Sequence, residues 1–258
     1  MQKDTRNKRG STLEKALATL EAIVDQPQSV GLPDLADRLG MSRQALHRVL
    51  QQLQDHGLVV KIPNRDRFAI GSRFSKIALQ AICSANQGAP VRAIVQQAVA
   101  GIGETCNIGV LAGREYIYIE RVECNRFPRI YLETGSRLPP HVTSGGKAML
   151  AHMPDRIRDS IVETLELRRY TQFTITDKKK LLEDLESIRD RGFAIAWQEF
   201  SEGIVGLGVP ILGKDGYAMA ALALHAPIQR VNQDNAGKYA TKLQKAARRL
   251  AAVWDMSA

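Results

Sequence analysis

Residues 31–57 read GLPDLADRLGMSRQALHRVLQQLQDHG, two short helical patterns joined by a tight turn and closed by a glycine. Pro33 stands at the start of the first pattern, where its fixed φ and missing N–H are tolerated. Leu35 and Leu39 lie four apart on one face, and Gly40 is placed to end the helix. Ser42 is placed to cap the second pattern. There Leu46, Val49, Leu50 and Leu53 follow the i, i+3, i+4, i+7 spacing of a buried stripe, while Gln44, Arg48 and Gln51 project from the opposite side with Arg43 and His47 flanking them. The pattern predicts a helix-turn-helix, and with it binding to double-stranded DNA. Glutamine can take adenine bidentately and arginine can take guanine or a phosphate, so Arg43 and Gln44, at the start of the recognition helix, are the candidates for base reading. A hairpin inside any helical bundle would show a similar polar face, so the flanking sequence has to decide.

After Gly57 come two β-rich runs, Leu58 to Ile62 and Arg67 to Ile70, around a Pro63-Asn64-Arg65-Asp66 turn. A basic hairpin behind a recognition helix is the wing of a winged helix, with Arg65 and Arg67 expected near phosphates or the minor groove. Ahead of the motif, Leu13, Leu17, Leu20 and Val24 mark a helix that would close a three-helix core. Order, spacing and charge thus agree across three elements. Charge follows the same division. The chain carries a formal +9, of which residues 1–82, with 13 basic and 8 acidic side chains, hold +5. The leader MQKDTRNKRG is expected to form a basic flexible arm over residues 1–11. It lacks the apolar stretch of a signal peptide, and no run of about 18 apolar residues occurs, so a membrane partner is not expected.

At 258 residues and 44% hydrophobic, the chain is long enough for two domains. The expected division is a winged helix-turn-helix over 12–71, a linker helix over 72–87 carrying Phe74, Ile77, Ala78 and Ile82 as a dimerisation surface, and a second domain over 88–258. In that domain the periodicity predicts a helix over 90–102, paired strands in TCNIGVLAG and EYIYIERVE, a third strand in RIYLETG, and a helix beginning at GGKAMLAHM. A helix over KKKLLEDLESIRDRG follows, capped by Thr176 or Asp177 and stopped by Gly192. Strands FAIAW, IVGLGVPI and YAMAALALH and a last helix with Leu243, Ala247, Leu250 and Trp254 complete an α+β fold with a mixed, largely antiparallel sheet.

Cys83, Cys106 and Cys124 are odd in number and widely spaced, which argues against a disulfide framework or a tetrahedral metal site and fits a reducing cytoplasm. They read as small buried hydrophobes. Catalytic signatures are missing. Gly146-Lys147 fails as a P-loop, because His141 and Ala148 stand where glycine and Ser or Thr are needed. Neither G-x-S-x-G, H-E-x-x-H nor C-x-x-C occurs. No cofactor or metal is expected, although His141 and His225 could meet in space.

The chain resembles the IclR family of bacterial transcriptional regulators from about Thr12 to Trp254. The most specific stretches are LADRLGMSRQALHRVLQQLQDHG, GSRLPPHVTSGGKAMLAHMP, YTQFTITDKKKLLEDLESIRDRGFAI and SEGIVGLGVPILGKDGYAMAALALHAP. The resemblance implies an N-terminal winged helix-turn-helix, a linker helix and a C-terminal GAF-like effector-binding domain, assembled as a homodimer or a dimer of dimers, with no enzymatic activity. It also implies a small-molecule carboxylate effector between the sheet and the loop Thr143-Ser144-Gly145-Gly146-Lys147, with Ser144 and Gly145 receiving the acid. Open N–H groups ahead of a helix suit a carboxylate, while Lys147 reads as an anchor of the fold at its helix start.

Small-acid sensors of the family carry polar side chains at sheet positions where this chain has Ala196 or Trp197, Gly206, Ala223 and His225. The sequence therefore predicts an effector larger and less polar than a tiny oxo acid, such as an aromatic or branched acid, with its body near Trp197 and a hydrogen bond or positive charge from His225. The expected site is Ser42, Arg43, Gln44, His47, Arg48, Arg65 and Arg67 for DNA, and Ser144, Gly145, Trp197, Gly206, Ala223 and His225 for the effector. Two other classes remain open at this point. One is a DNA-binding scaffold whose second domain only oligomerises. The other is an enzyme acting on a small acid, for which only His141, His225, Glu199 and Glu202 offer chemistry.

Overall fold

The computed structural model describes residues 11–26, 29–63, 65–86, 90–127 and 132–255, in two compact units, Met1–Ala81 and Ile82–Ala258. The expected basic arm, apart from Ser11, lies outside the described residues. Helix α1 (Thr12–Val24) opens with a capping box, in which the Ser11 hydroxyl accepts the Glu14 N–H and the Glu14 carboxylate accepts the Ser11 N–H. Strand β1 (Val30–Gly31) leads into α2 (Leu32–Leu39), which ends at Gly40 in the left-handed region at φ +60°. Ser42 caps α3 (Arg43–Asp55) by accepting the Ala45 N–H at 3.3 Å. Strands β2 (Val59–Lys61) and β3 (Arg67–Ile70) form the wing, and β1 adds to β3 to give the order β1-β3-β2.

The stripe Leu46, Val49, Leu50 and Leu53 is buried as its spacing predicts, against Leu20, Ile23, Leu35, Val59 and Phe68. Helix α1 is turned from its expected face. Leu13, Leu17 and Val24 are exposed, and the inward face runs through Thr19, Leu20 and Ile23. Helix α4 spans Ser72–Asn86, with Phe74 packed on this core.

The second unit contains α5 (Pro90–Ile102), β4 (Thr105–Ala112), β5 (Glu115–Val122), β6 (Arg137–Leu138), a 3₁₀ turn at Pro140–Val142, α6 (Ser144–Ala151), α7 (Asp155–Thr164) and α8 (Lys178–Arg191). After these come β7 (Ala194–Trp197), β8 (Ile204–Leu212), β9 (Ala218–Pro227) and α9 (Ala236–Asp255). The sheet order is β6-β5-β4-β9-β8-β7, and every pairing is antiparallel. Helices α5 and α9 cover one face, while α6 lies on the other with α8 behind it.

Two expectations change here. Part of the run RIYLETG, residues 129–131, lies outside the described residues, and residues 132–135 form no strand. Instead Gly135 turns the chain at φ +90° and its N–H bonds the Tyr118 carbonyl at 2.7 Å, so Arg137–Leu138 becomes the edge strand. Helix α7 forms where the sequence reading places no element. Its weak stripe, with Arg158 and Val162 buried, carries little periodic signal.

Register decides which side chains meet. Because strand side chains alternate, Thr105, Asn107 and Gly109 of β4, Ala223 and His225 of β9, Gly206 and Gly208 of β8, and Ala196 of β7 share the face toward α6. A bulge between Ile108 and Gly109 pairs Asn107 with Arg121 but Gly109 with Tyr118, which brings both β5 residues to that same face. Cys106 and Cys124 are buried free thiols, as expected; the side chain of Cys83 lies outside the described residues. Among the described residues no helix is long and apolar enough to cross a membrane, and no group of three or more His, Cys, Asp and Glu could hold a metal.

Candidate functional site

The first candidate surface is the outer side of α3. Its apolar stripe turns inward, which leaves Ser42, Arg43, Gln44, His47 and Arg48 exposed together along its first turns. At the wing, Lys61 pairs with Asp66 at 2.7 Å. The Lys61 hydrogen bond and charge hold the Asp66 carboxyl below its ordinary value. Arg65 is exposed and makes no ion pair among the described residues, so it is the wing-tip cation open to a phosphate. Arg67 is differently employed. Its guanidinium donates to the Ser29 carbonyl through Nε at 2.7 Å and through Nη2 as well, pinning the segment before β1 to β3.

The second candidate lies at the N-terminus of α6. Thr143 caps this helix, its hydroxyl accepting the Gly146 N–H at 3.2 Å, which leaves the N–H groups of Ser144 and Gly145 outside the intrahelical ladder. The helix sits hard on the sheet because glycines allow it. A Cβ on Gly145 would fall 2.1 Å from the Tyr116 hydroxyl, and one on Gly208 would fall 2.6 Å from the Ser144 carbonyl carbon. Beside Ser144 is a cavity with apolar walls from Leu132, Leu138, Val142, Ala196, Phe200 and Ile204 and polar ones from Thr143, Ser201 and His225, with Gly206 at its floor. It offers the centre of a water-sized sphere about 20 Å³, room for little more than one water. Among the described residues the buried Ser144 hydroxyl has no hydrogen-bond partner, and a Cβ on Gly206 would come within 2.8 Å of it.

His225 closes one side of that cavity. Its Nδ1 is 3.0 Å from Asn107 Nδ2 and its Nε2 is 3.3 Å from the Tyr118 hydroxyl. Burial, with the Arg121 charge added, pushes its pKa down to about 4, so it is neutral at physiological pH and does not bring the positive charge the sequence reading allowed. Lys147 turns away from the cavity. Its ammonium is 2.6 Å from Glu199 Oε1 and 2.8 Å from Asp184 Oδ2, with the lysine side chain 1% exposed. It ties α6 to α8 and to the segment after β7, which is the anchoring role its position suggested. Burial holds Glu199 above the ordinary carboxylate range. The Thr174 hydroxyl donates to the Glu199 carbonyl at 2.7 Å and the Thr171 hydroxyl to the Gln198 carbonyl at 2.7 Å, fixing the backbone that carries Phe200.

The structure thus brings Ser144, Gly206 and His225 together. Gly145 faces Tyr116, and Ala223 lies on the same sheet face as His225 one pair further from the cavity rim. Trp197 does not line the cavity. Ala196, its neighbour, holds that position, because adjacent strand residues point to opposite faces. His141 and His225 take separate partners, the His141 Nε2 donating to the Arg168 carbonyl at 3.1 Å. Asn107, Tyr118, Arg121 and Phe200 are absent from the sequence-derived site. A polar residue at an inward position of the apolar strand TCNIGVLA was the available signal for Asn107.

Comparison with known proteins shows the family. Residues 12–63 match the IclR helix-turn-helix domain and residues 81–252 match the bacterial transcriptional regulator IclR C-terminal domain. The probable transcriptional regulator SauR of Cupriavidus necator is 32% identical over 233 residues, 90% of this chain and 92% of its own length. The crystal structure of Thermotoga maritima IclR superposes with a TM-score of 0.59 at 26% identity, covering 93% of this chain and 98% of that one. The inducer-binding domain of PobR from Acinetobacter, a double mutant solved as a 3-hydroxybenzoic acid complex, gives a TM-score of 0.57 at 27% identity over 62% of this chain and 94% of that one. Members of the family are transcriptional regulators, not enzymes. The chain belongs to the IclR family of DNA-binding transcriptional regulators.

Proposed function

We propose that operator binding by this regulator is modulated by a small carboxylic acid, of aromatic type, held beside the N-terminus of α6. The observation that carries the proposal is the buried, unpartnered Ser144 hydroxyl facing a cavity whose other walls are largely apolar. A helix start with open N–H groups and a spare hydroxyl is a ready carboxylate receptor. Leu132, Leu138, Val142 and Phe200 suit a ring better than a second polar group. Support comes from the PobR domain with 3-hydroxybenzoic acid and from the p-hydroxybenzoate hydroxylase transcriptional activator of Acinetobacter baylyi, 28% identical over 224 residues.

The cavity is too small for such a ligand as it stands, since benzene needs roughly 150 Å³. Binding therefore requires the cavity to enlarge. A ligand that fits only the opened form shifts the population toward it, and that differential affinity is the source of any regulatory effect. On this reading α4 carries the change toward the DNA-binding unit, and two chains grip half-sites of a near-palindromic operator with α3 in the major groove. The small volume also favours a second reading, a regulator whose second domain oligomerises without sensing. A thermal-shift titration of the whole chain against hydroxybenzoates and short oxo acids separates the two. A saturable rise of the midpoint with a hydroxybenzoate is expected, and indifference to every acid would favour the non-sensing domain.

A further inference from the structure

The polar residues behind the cavity wall form a directional chain whose hydrogen positions can be deduced. Arg121 Nη1 lies 3.0 Å from Asn107 Oδ1. A guanidinium only donates, so the atom facing it must be the amide oxygen. That choice turns the Asn107 amide nitrogen toward His225 Nδ1 at 3.0 Å. An amide NH₂ also only donates, so Nδ1 must present its lone pair and the single ring proton sits on Nε2. Protonating Nδ1 would set two donors against each other beside the Arg121 charge. The groups facing His225 are Thr105 and Asn107 from β4, Tyr118 and Arg121 from β5, Gly206 from β8 and Ser144 from α6. Of these only Tyr118 and Arg121 titrate, Arg121 itself pairing with Glu123 at 3.3 Å, and among the described residues no carboxylate faces the ring to favour an imidazolium.

We infer that Asn107, oriented by Arg121, is a positioning residue that locks His225 as the neutral Nε2–H tautomer, its one proton directed to the Tyr118 hydroxyl and its ring held uncharged beside Ser144. The same Gly206 Cβ position would lie 2.8 Å from Ser144 Oγ and 3.5 Å from His225 Cδ2, so both side chains reach one small space. The inference rests on reading the cavity as the effector site. It makes recognition there a matter of dipoles: a hydroxyl and two backbone N–H groups beside a neutral imidazole whose own N–H goes to Tyr118, with no formal cation. A site of this kind receives an oxyanion or a neutral carbonyl, and its affinity does not follow histidine titration.

The test is a long-range ¹⁵N–¹H correlation spectrum of the full chain labelled at histidine, recorded between about pH 5.5 and 8, paired with benzoate titrations at both ends of the range. Wild type should show His225 as a single Nε2–H tautomer throughout and bind benzoate with affinities equal within about twofold. Asn107→Asp should move the proton to Nδ1 or charge the ring, and make benzoate binding at least about threefold tighter at the acidic end. Arg121→Gln frees the amide to turn and should give a mixture of tautomers, while Arg121→Lys, which keeps a donor, should restore one. An Nδ1–H or imidazolium signal for His225 in wild type at neutral pH would overturn the inference, even if no variant folds. Nε2–H in wild type without any benzoate binding would leave the tautomer assignment standing and count against the effector reading instead.

Discussion

Replacing Lys147 by methionine separates an anchor from a ligand counter-ion. Its ammonium sits 2.6 Å from Glu199 and 2.8 Å from Asp184, and both it and Glu199 are buried. Removing one member of a buried pair leaves the other charge uncompensated, at a cost of about 3–5 kcal/mol. At about 2–4 °C per kcal/mol for a unit of this size, the calorimetric midpoint of the second unit should fall by roughly 6–20 °C. The loss should depend on pH. Burial already holds Glu199 above its ordinary value of 4.5, against the opposing pull of Lys147. A carboxyl with a raised folded pKa stabilises the fold while protonated, and that contribution disappears as pH rises through the folded value. Without Lys147 the folded value climbs further, so the deficit is largest at and above neutrality and shrinks as the solution is acidified. Adding Glu199→Gln should return much of the lost stability, because the buried carboxylate is then neutral and the remaining partner, Asp184, is partly exposed to solvent. Scanning calorimetry of wild type and the two variants at neutral and mildly acidic pH makes the comparison. A midpoint unchanged in Lys147→Met, with hydroxybenzoate binding lost, would refute the anchor and make Lys147 the acid's counter-ion.

On the DNA side, Arg65→Ala should weaken binding to all duplexes alike and lower the slope of log K against log salt by about one. Arg67→Ala should leave that slope unchanged and instead lower the thermal midpoint of the first unit, because its guanidinium holds the Ser29 carbonyl. Gln44→Ala should relax preference at one base pair by about 1–3 kcal/mol in a competition assay over single-base operator variants. In the effector unit, Gly206→Val places its first carbon 2.8 Å from the Ser144 hydroxyl and fills the cavity, so calorimetric titration should show hydroxybenzoate binding weakened at least about tenfold.

The N-terminal unit was legible because its stripe of Leu46, Val49, Leu50 and Leu53 has one dominant period and its caps, Ser42 and Gly40, stand next to it. Helix α1 was recognised but turned, because Leu13, Leu17 and Val24 compete with Leu20 and Ile23 for the inward face. Strand β1 was missed, two residues being too short for any alternation. In the second unit most helices and strands followed their periods, α7 and the run RIYLETG excepted, but the site did not. Choosing Trp197 over Ala196 is a one-residue slip, and in a strand such a slip reverses the face. Asn107, Tyr118 and Arg121 come together only through the β4–β5 register and the bulge after Ile108. No spacing along the chain encodes that juxtaposition. The closeness of α6 to the sheet, made possible by Gly145 and Gly208, likewise depends on residues far apart in sequence.

The most direct measurement is the affinity of the whole chain for an operator duplex chosen by in vitro selection, read by fluorescence anisotropy with and without saturating 4-hydroxybenzoate or 3-hydroxybenzoate, in wild type and Gly206→Val. The account predicts that a hydroxybenzoate changes operator affinity at least about fivefold in wild type, the lower range of allosteric coupling, and changes nothing in the variant. Operator affinity indifferent to these acids in wild type, or an equal response in Gly206→Val, would contradict it.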